Sequence, residues 1–113
     1  MPYAFSAPIP PGKIDAVRQF VADVLGARKA EYDDLQRRSG MTEESYWLQV
    51  DPDGGAALIV VSDNDQNGFW AIMANPQTEF DRWYRERMES IWEFDAAAPQ
   101  PPANELLGTW TPG

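Results

Sequence analysis

The sequence predicts an α+β domain with one antiparallel sheet and helices on one face. Three observations lead there. Residues 45 to 63 hold two short runs rich in β-branched and aromatic residues, joined by Asp51-Pro52-Asp53-Gly54-Gly55, which is the signature of a β-hairpin. Each flank of that hairpin carries one apolar stripe of helical period. Each flank also offers one more candidate strand, near the N-terminus and near the C-terminus, so the order is strand, helix, hairpin, helix, strand. That is the ferredoxin-like β-α-β-β-α-β arrangement.

Tyr3, Phe5, Ala7 and Ile9 alternate with Ala4 and Ser6, a first strand that Pro8, Pro10 and Pro11 bring to an end. From Lys13 the period becomes helical: Ile14, Val17, Val21, Val24 and Leu25 share a stripe, with Phe20 on its flank. Gly26 is a place to bend or break that helix. The pattern resumes over residues 27 to 39, where Asp33 with Arg37 and Asp34 with Arg38 form i,i+4 pairs, and Gly40 followed by Met41 reads as a glycine stop with an apolar lid. In the hairpin, Pro52 presets φ at the second turn position and Gly54 can take the left-handed conformation of a bulged loop. A short apolar helix over residues 69 to 74 ends at Asn75-Pro76. Thr78 with Asp81 three residues later then opens the second main helix, whose apolar face holds Phe80, Trp83, Tyr84, Met88 and Ile91. Residues 96 to 113 are rich in proline, with residues 105 to 110 the candidate last strand. No internal repeat is visible, and 113 residues amount to a single domain spanning 1 to 113.

The hairpin implies a partner. With a loop at residues 51 to 55, Val50 faces Ala56, Leu48 faces Leu58 and Tyr46 faces Val60 on one side of the sheet, while Trp47, Gln49, Ala57, Ile59 and Val61 lie on the other. Both sides are largely apolar. A half-solvated hairpin alternates apolar and polar residues, so both faces are expected to be covered, one by helices and the other by a second copy. A homodimer through the sheet face follows.

Composition removes several classes of function. There is no cysteine, hence no disulfide framework and no thiolate chemistry. There is no histidine either, which excludes His-based triads, the usual zinc sites and a proximal His ligand to haem; carboxylates, tyrosines, hydroxyls, two lysines and seven arginines are left. The net charge of −9 is uneven, with six basic and five acidic residues in the first 40 positions and three against thirteen in the remainder. An acidic surface repels phosphate backbones, so neither nucleic acid nor an anionic membrane is an expected partner. The N-terminus shows no signal-peptide pattern and the longest aliphatic run, residues 56 to 61, is far short of a membrane span, so a cytoplasmic protein is expected.

Three stretches carry a family resemblance: Arg28-Lys29-Ala30-Glu31-Tyr32, Arg37-Arg38-Ser39-Gly40 and Phe80-Asp81-Arg82-Trp83-Tyr84-Arg85. With them the chain resembles the dimeric α/β-barrel superfamily over most of residues 3 to 95, and within it a small family without an assigned reaction. The resemblance implies two ferredoxin-like subunits facing each other through their sheets. Relatives in that superfamily include cofactor-independent monooxygenases of aromatic polyketides, haem-degrading enzymes and stress-response proteins. Members often carry a His after the last helix, where this chain has Trp92-Glu93-Phe94-Asp95, a departure that argues against haem.

The candidate site residues come from two arginines on apolar helix faces. At about 100° per residue, Arg87 falls between Phe80, Trp83, Tyr84 and Ile91, and a first helix continuing through Gly26 places Arg28 among Val21, Val24, Tyr32 and Leu35. A buried guanidinium needs a carboxylate, a wet cavity or an anionic ligand. One reading is a pocket in which Arg28 and Arg87 hold a small organic anion beside Tyr32 and Trp83; the other is an internal ion pair, for example to Glu31, or an arginine whose stem packs while its head reaches water. Separately, Tyr46, Trp47, Trp70, Trp83, Tyr84 and Trp92 are candidates to line a cavity for a flat substrate, with core and dimer packing the competing role. Asp63-Asn64-Asp65-Gln66-Asn67-Gly68 matches the opening of a calcium loop, yet its twelfth position is Ala74 instead of a bidentate Glu, so an ordinary strand-to-helix loop is expected and no metal or other cofactor is assigned. The functional expectation is a dimeric small-molecule binding protein or cofactor-independent enzyme acting on an aromatic or anionic organic compound. The competing one is a non-catalytic dimeric protein-interaction or stress-response module.

Overall fold

The computed structural model of the chain describes residues 2–99 and 102–113. Its elements are β1 (Tyr3–Ile9), α1 (Ile14–Leu25), α2 (Lys29–Ser39), β2 (Glu44–Val50), β3 (Ala56–Ser62), α3 (Asn67–Ala74) and α4 (Glu79–Trp92). The three strands form one antiparallel sheet in the order β1-β3-β2. The hairpin register is the expected one, with Val50 opposite Ala56, Leu48 opposite Leu58 and Tyr46 opposite Val60. Gly54 takes φ 91° in its loop, where the left-handed conformation favours glycine.

The four-stranded ferredoxin-like sheet is corrected to three strands, and with it the dimeric α/β barrel that such sheets build. Among the described residues, 105 to 110 form no strand, and β1 keeps an open edge. The reason lies in β1 itself. The Ala4 carbonyl, which accepts from Asn104 Nδ2 at 2.7 Å, faces that edge, so by strand alternation Ser6 and Pro8 face it too. Pro8 has no N–H to give, which strips a donor from the ladder a fourth strand would need.

All four helices cover the same side of the sheet. Ile9, Leu58 and Val60 pack there against Val17, Phe20 and Val24 of α1, Leu35 of α2, Met73 of α3 and Phe80 and Met88 of α4. Gly26 breaks the first helical stretch, at φ −126° and ψ −99°, well outside helical geometry. Gly40 ends α2, and the buried Met41 closes it as expected. Thr78 opens α4 with a full capping box: its hydroxyl accepts from Asp81 N at 3.0 Å and the Asp81 carboxylate accepts from Thr78 N at 3.2 Å.

The same Asp81 side chain, 0% exposed, also takes a two-pronged hydrogen bond from Arg38 of α2 at 3.0 and 2.7 Å. Burial raises the proton affinity of Asp81, but Arg38 with the Gln77 and Thr78 donors outweighs it and holds the carboxyl below its ordinary range. This ion pair ties α2 to α4. The opposite side of the sheet carries Trp47, 65% exposed, with Val61 40% exposed beside the half-buried Ile59. No helix among the described residues is long and apolar enough to cross a membrane.

Candidate functional site

Between the sheet and the helices lies a cavity of about 660 Å³, within the range of small-molecule sites. Phe5, Leu58 and Val60 form its floor; Phe20 and Val24 of α1, Phe69 and Trp70 of α3 and Met88 and Trp92 of α4 form its walls. Phe94, Pro99 and Asn104 complete the lining beyond α4. The sheet supplies its inward residues through strand alternation, and the helices theirs through the same apolar stripes that build the core. Within the described lining there is no lysine or arginine, whereas two carboxylates, Glu44 and Asp95, are present.

One part of the lining is polar. Glu44, first residue of β2, shares the inward face with Tyr46 two positions on, and the two line the cavity together with Gln66 and Tyr84. Glu44 Oε1 accepts from the hydroxyls of Tyr32 at 2.7 Å and of Tyr46, and from Gln36 Nε2 at 2.9 Å; Oε2 accepts from Gln66 Nε2 at 2.9 Å. The Tyr46 hydroxyl also lies against that of Tyr32. Tyr84 is fixed by rings around it: it stacks on Tyr32 at 5.7 Å and meets Phe20 and Phe69 edge-on at 4.8 and 5.5 Å.

The electrostatics follow from burial. Loss of water raises the Glu44 carboxyl above its ordinary value, against the stabilising bonds of Gln66 and Gln36, with the nearby Asp63 charge adding to the rise. Burial likewise pushes the Tyr46 and Tyr84 hydroxyls up, so both stay protonated. A carboxylate of raised proton affinity in the lining of a largely apolar cavity, held there by Tyr32 and Tyr46, can accept a proton from a bound molecule and return it.

The arginine-centred candidates lie elsewhere. Arg28 makes a bidentate pair with Glu31 at 3.0 and 2.9 Å and a further bond to Glu79 at 2.9 Å, with its guanidinium 4.4 Å from the Trp83 ring and 5.0 Å from Phe80. Arg87 is exposed and stands 6.0 Å from the same Trp83 ring. The structure therefore brings Arg28, Trp83 and Arg87 together on the outer side of the helices, away from the cavity lining. Trp47 is on the far face of the sheet. Of the five, Tyr32 alone reaches the polar centre, through its bond to Glu44.

In the loop of residues 63 to 68 the acidic oxygens serve the chain itself. Asp63 accepts from Thr42 N, Thr42 Oγ1 and Glu43 N, and Asp65 from Asn67 N. Gln66 turns inward to Glu44 and to Ser62 Oγ. Of the aromatics that could line a cavity for a flat substrate, Tyr46, Trp70, Tyr84 and Trp92 do so, whereas Glu44 and Gln66 lie outside the sequence expectations as site residues. The available signal was Glu44 at i−2 from Tyr46, an acid on the strand face whose other members are apolar.

Compared with family models, with curated proteins and with solved structures, the chain gives no match.

Proposed function

We propose that the protein binds a small, largely aromatic organic molecule in the cavity between sheet and helices, and that any reaction there is proton transfer through Glu44 without a cofactor. The observation that carries this reading is the union of an aromatic-walled cavity of about 660 Å³ with one half-buried carboxylate, Glu44, in its lining and hydrogen-bonded there to Tyr46 and Gln66. Of the aromatic and anionic ligands expected from sequence, the lining favours the aromatic one, because no cation faces the cavity among the described residues. The working unit in this reading is a homodimer through the outer sheet face, supported by the exposure of Trp47 and Val61 beside Ile59. The lack of cysteine suits a reducing cytoplasmic setting.

A thermal-shift panel of neutral aromatic compounds tests the reading, run in parallel on Ala7→Trp, which places an indole in the cavity from its β1 floor. At a hundred times its dissociation constant a ligand adds about 2.7 kcal/mol, several degrees in the midpoint of a domain this size. Shifts in the wild type that disappear in a folded Ala7→Trp support binding in the cavity; shifts that persist unchanged in the variant place binding elsewhere and reject it.

The alternative of a protein-interaction module is favoured by a separate observation: Leu107 and Trp110 of the C-terminal segment are 91% and 83% exposed. A panel without any response would turn attention to that segment.

A further inference from the structure

We infer that the cavity takes neutral aromatic carbonyl compounds, aryl ketones and aldehydes, and that the indole N–H of Trp92 recognises the carbonyl oxygen. This rests on the proposal that the cavity is a ligand site. Trp92 is the last residue of α4 and lines the cavity. Its Nε1 is shielded from water and has no hydrogen-bond partner, and among the described residues it is the one buried side-chain nitrogen or oxygen in that condition. A buried donor left unpaired forfeits the bond it had in water, which is why such groups are few in folded proteins. The hydroxyls of Tyr3, Ser6 and Tyr84 in the lining can turn to donate or accept, whereas an indole nitrogen can donate alone. Trp92 is therefore the group that sets a requirement on the ligand. The protein holds no acceptor within its reach, and the same side chain borders a space of small-molecule size, so a bound molecule supplies the acceptor as the indole turns its N–H to the cavity.

Position and charge fix the kind of acceptor. Tyr84, Met88 and Trp92 stand at i, i+4 and i+8 on α4, one stripe along the cavity wall. Its two ends are about 12 Å apart along the helix axis. Tyr84 marks the polar end, since it stacks on the Tyr32 ring whose hydroxyl donates to Glu44. The Trp92 donor thus stands two helical turns from that carboxylate, and Phe20, Phe69, Trp70 and Met88 furnish apolar wall for a flat ring system. Glu44 and Asp95 line the cavity while no lysine or arginine does among the described residues; Arg85, 3.8 Å from Asp95, is outside the lining. An aryl carboxylate would add a further negative charge to this lining with no cation to meet it. A ketone or aldehyde oxygen brings two lone pairs in the plane of its carbonyl and no charge, which is what an indole N–H at an apolar wall can use.

Calorimetric titration of the full chain with two ligands of one shape provides the test: 2-acetylnaphthalene, and 2-isopropenylnaphthalene, in which a methylene replaces the carbonyl oxygen. Each is titrated into the wild type and into Trp92→Phe, which keeps an aromatic ring and loses the N–H. The variant is expected to bind the ketone about fivefold more weakly and the hydrocarbon within about twofold of the wild type, the difference being one hydrogen bond. Equal losses for the two ligands, or no loss for the ketone, overturn the role of Trp92 while leaving the cavity as a site. The indole N–H signals of the wild type in a nitrogen-15 NMR spectrum decide the matter even where Trp92→Phe does not fold. The Trp92 signal is expected to move downfield with the ketone and not with the hydrocarbon; the same response to both overturns the inference. Failure of both ligands to bind overturns the cavity reading and this inference with it.

Discussion

Glu44 is the residue on which the account turns, and its chemistry gives a pH signature. Burial holds its carboxyl above the ordinary value of 4.5, so the folded chain keeps this proton at pH values where the unfolded chain has released it. Stability from this group is therefore present below pH 4.5 and is lost as pH rises through the elevated value. Urea unfolding across pH 4 to 8 is expected to show that decline in the wild type and a flatter profile in Glu44→Gln; identical profiles would contradict the assignment. Asp81 is the opposite case, a buried acid held ionised by Arg38. Asp81→Ala leaves the terminal nitrogens of Arg38 and two backbone donors without their acceptor, while Arg38 Nε keeps Asp34, and is expected to cost about 1 to 3 kcal/mol in denaturant melts. A loss under 1 kcal/mol would show that the pair contributes little. Neither centre was legible as a site in the sequence. The partners of Glu44, namely Tyr32, Gln36 and Gln66, and the Arg38 partner of Asp81 come from other elements, and only tertiary packing assembles them.

At the scale of elements, legibility followed the range of the signal. The hairpin, its register and the capping box of α4 depend on residues a few positions apart, and each is where the sequence places it. Arg28 depends on phase carried across Gly26. The break there resets α2 relative to α1, turning Arg28 from the expected core stripe to a capping position paired with Glu31 and Glu79. The missing fourth strand has the same character, since it required a tail to find the β1 edge across the whole chain. One element contact was invisible in sequence: α3 rests on the end of α2 so closely that a Cβ on Gly68 would stand 2.6 Å from the Ser39 carbonyl oxygen. Because that neighbour is backbone, Gly68→Ala must displace α3, and a loss of about 1 to 3 kcal/mol in thermal melts is expected. As α3 carries Phe69 and Trp70 into the cavity wall, the same variant is expected to weaken ligand binding. Unchanged stability and binding would show that α3 is free to shift.

For the whole molecule the architecture is a one-sided sheet, with four helices, the core and the cavity on one face and an apolar surface on the other. The sequence disclosed the apolar character of both faces through its near-continuous strands; which structure covers the second face is a property of the assembly, beyond one chain. In the proposed homodimer Val61→Lys sets a charge in that surface, and a change from dimer to monomer is expected by sedimentation with the fold retained. A wild type that sediments as a monomer would remove the dimer from the account and leave the cavity untouched. The cavity is the central claim, and the four methionines allow a direct view of it, because Met88 lines the cavity while Met41 and Met73 do not. With methyl-labelled methionine, nuclear Overhauser contacts from a saturating neutral aromatic ligand, one that shifts the thermal midpoint, are expected at the Met88 methyl and absent at Met41. Contacts confined to other methyls, with Met88 silent under saturation, would contradict the account.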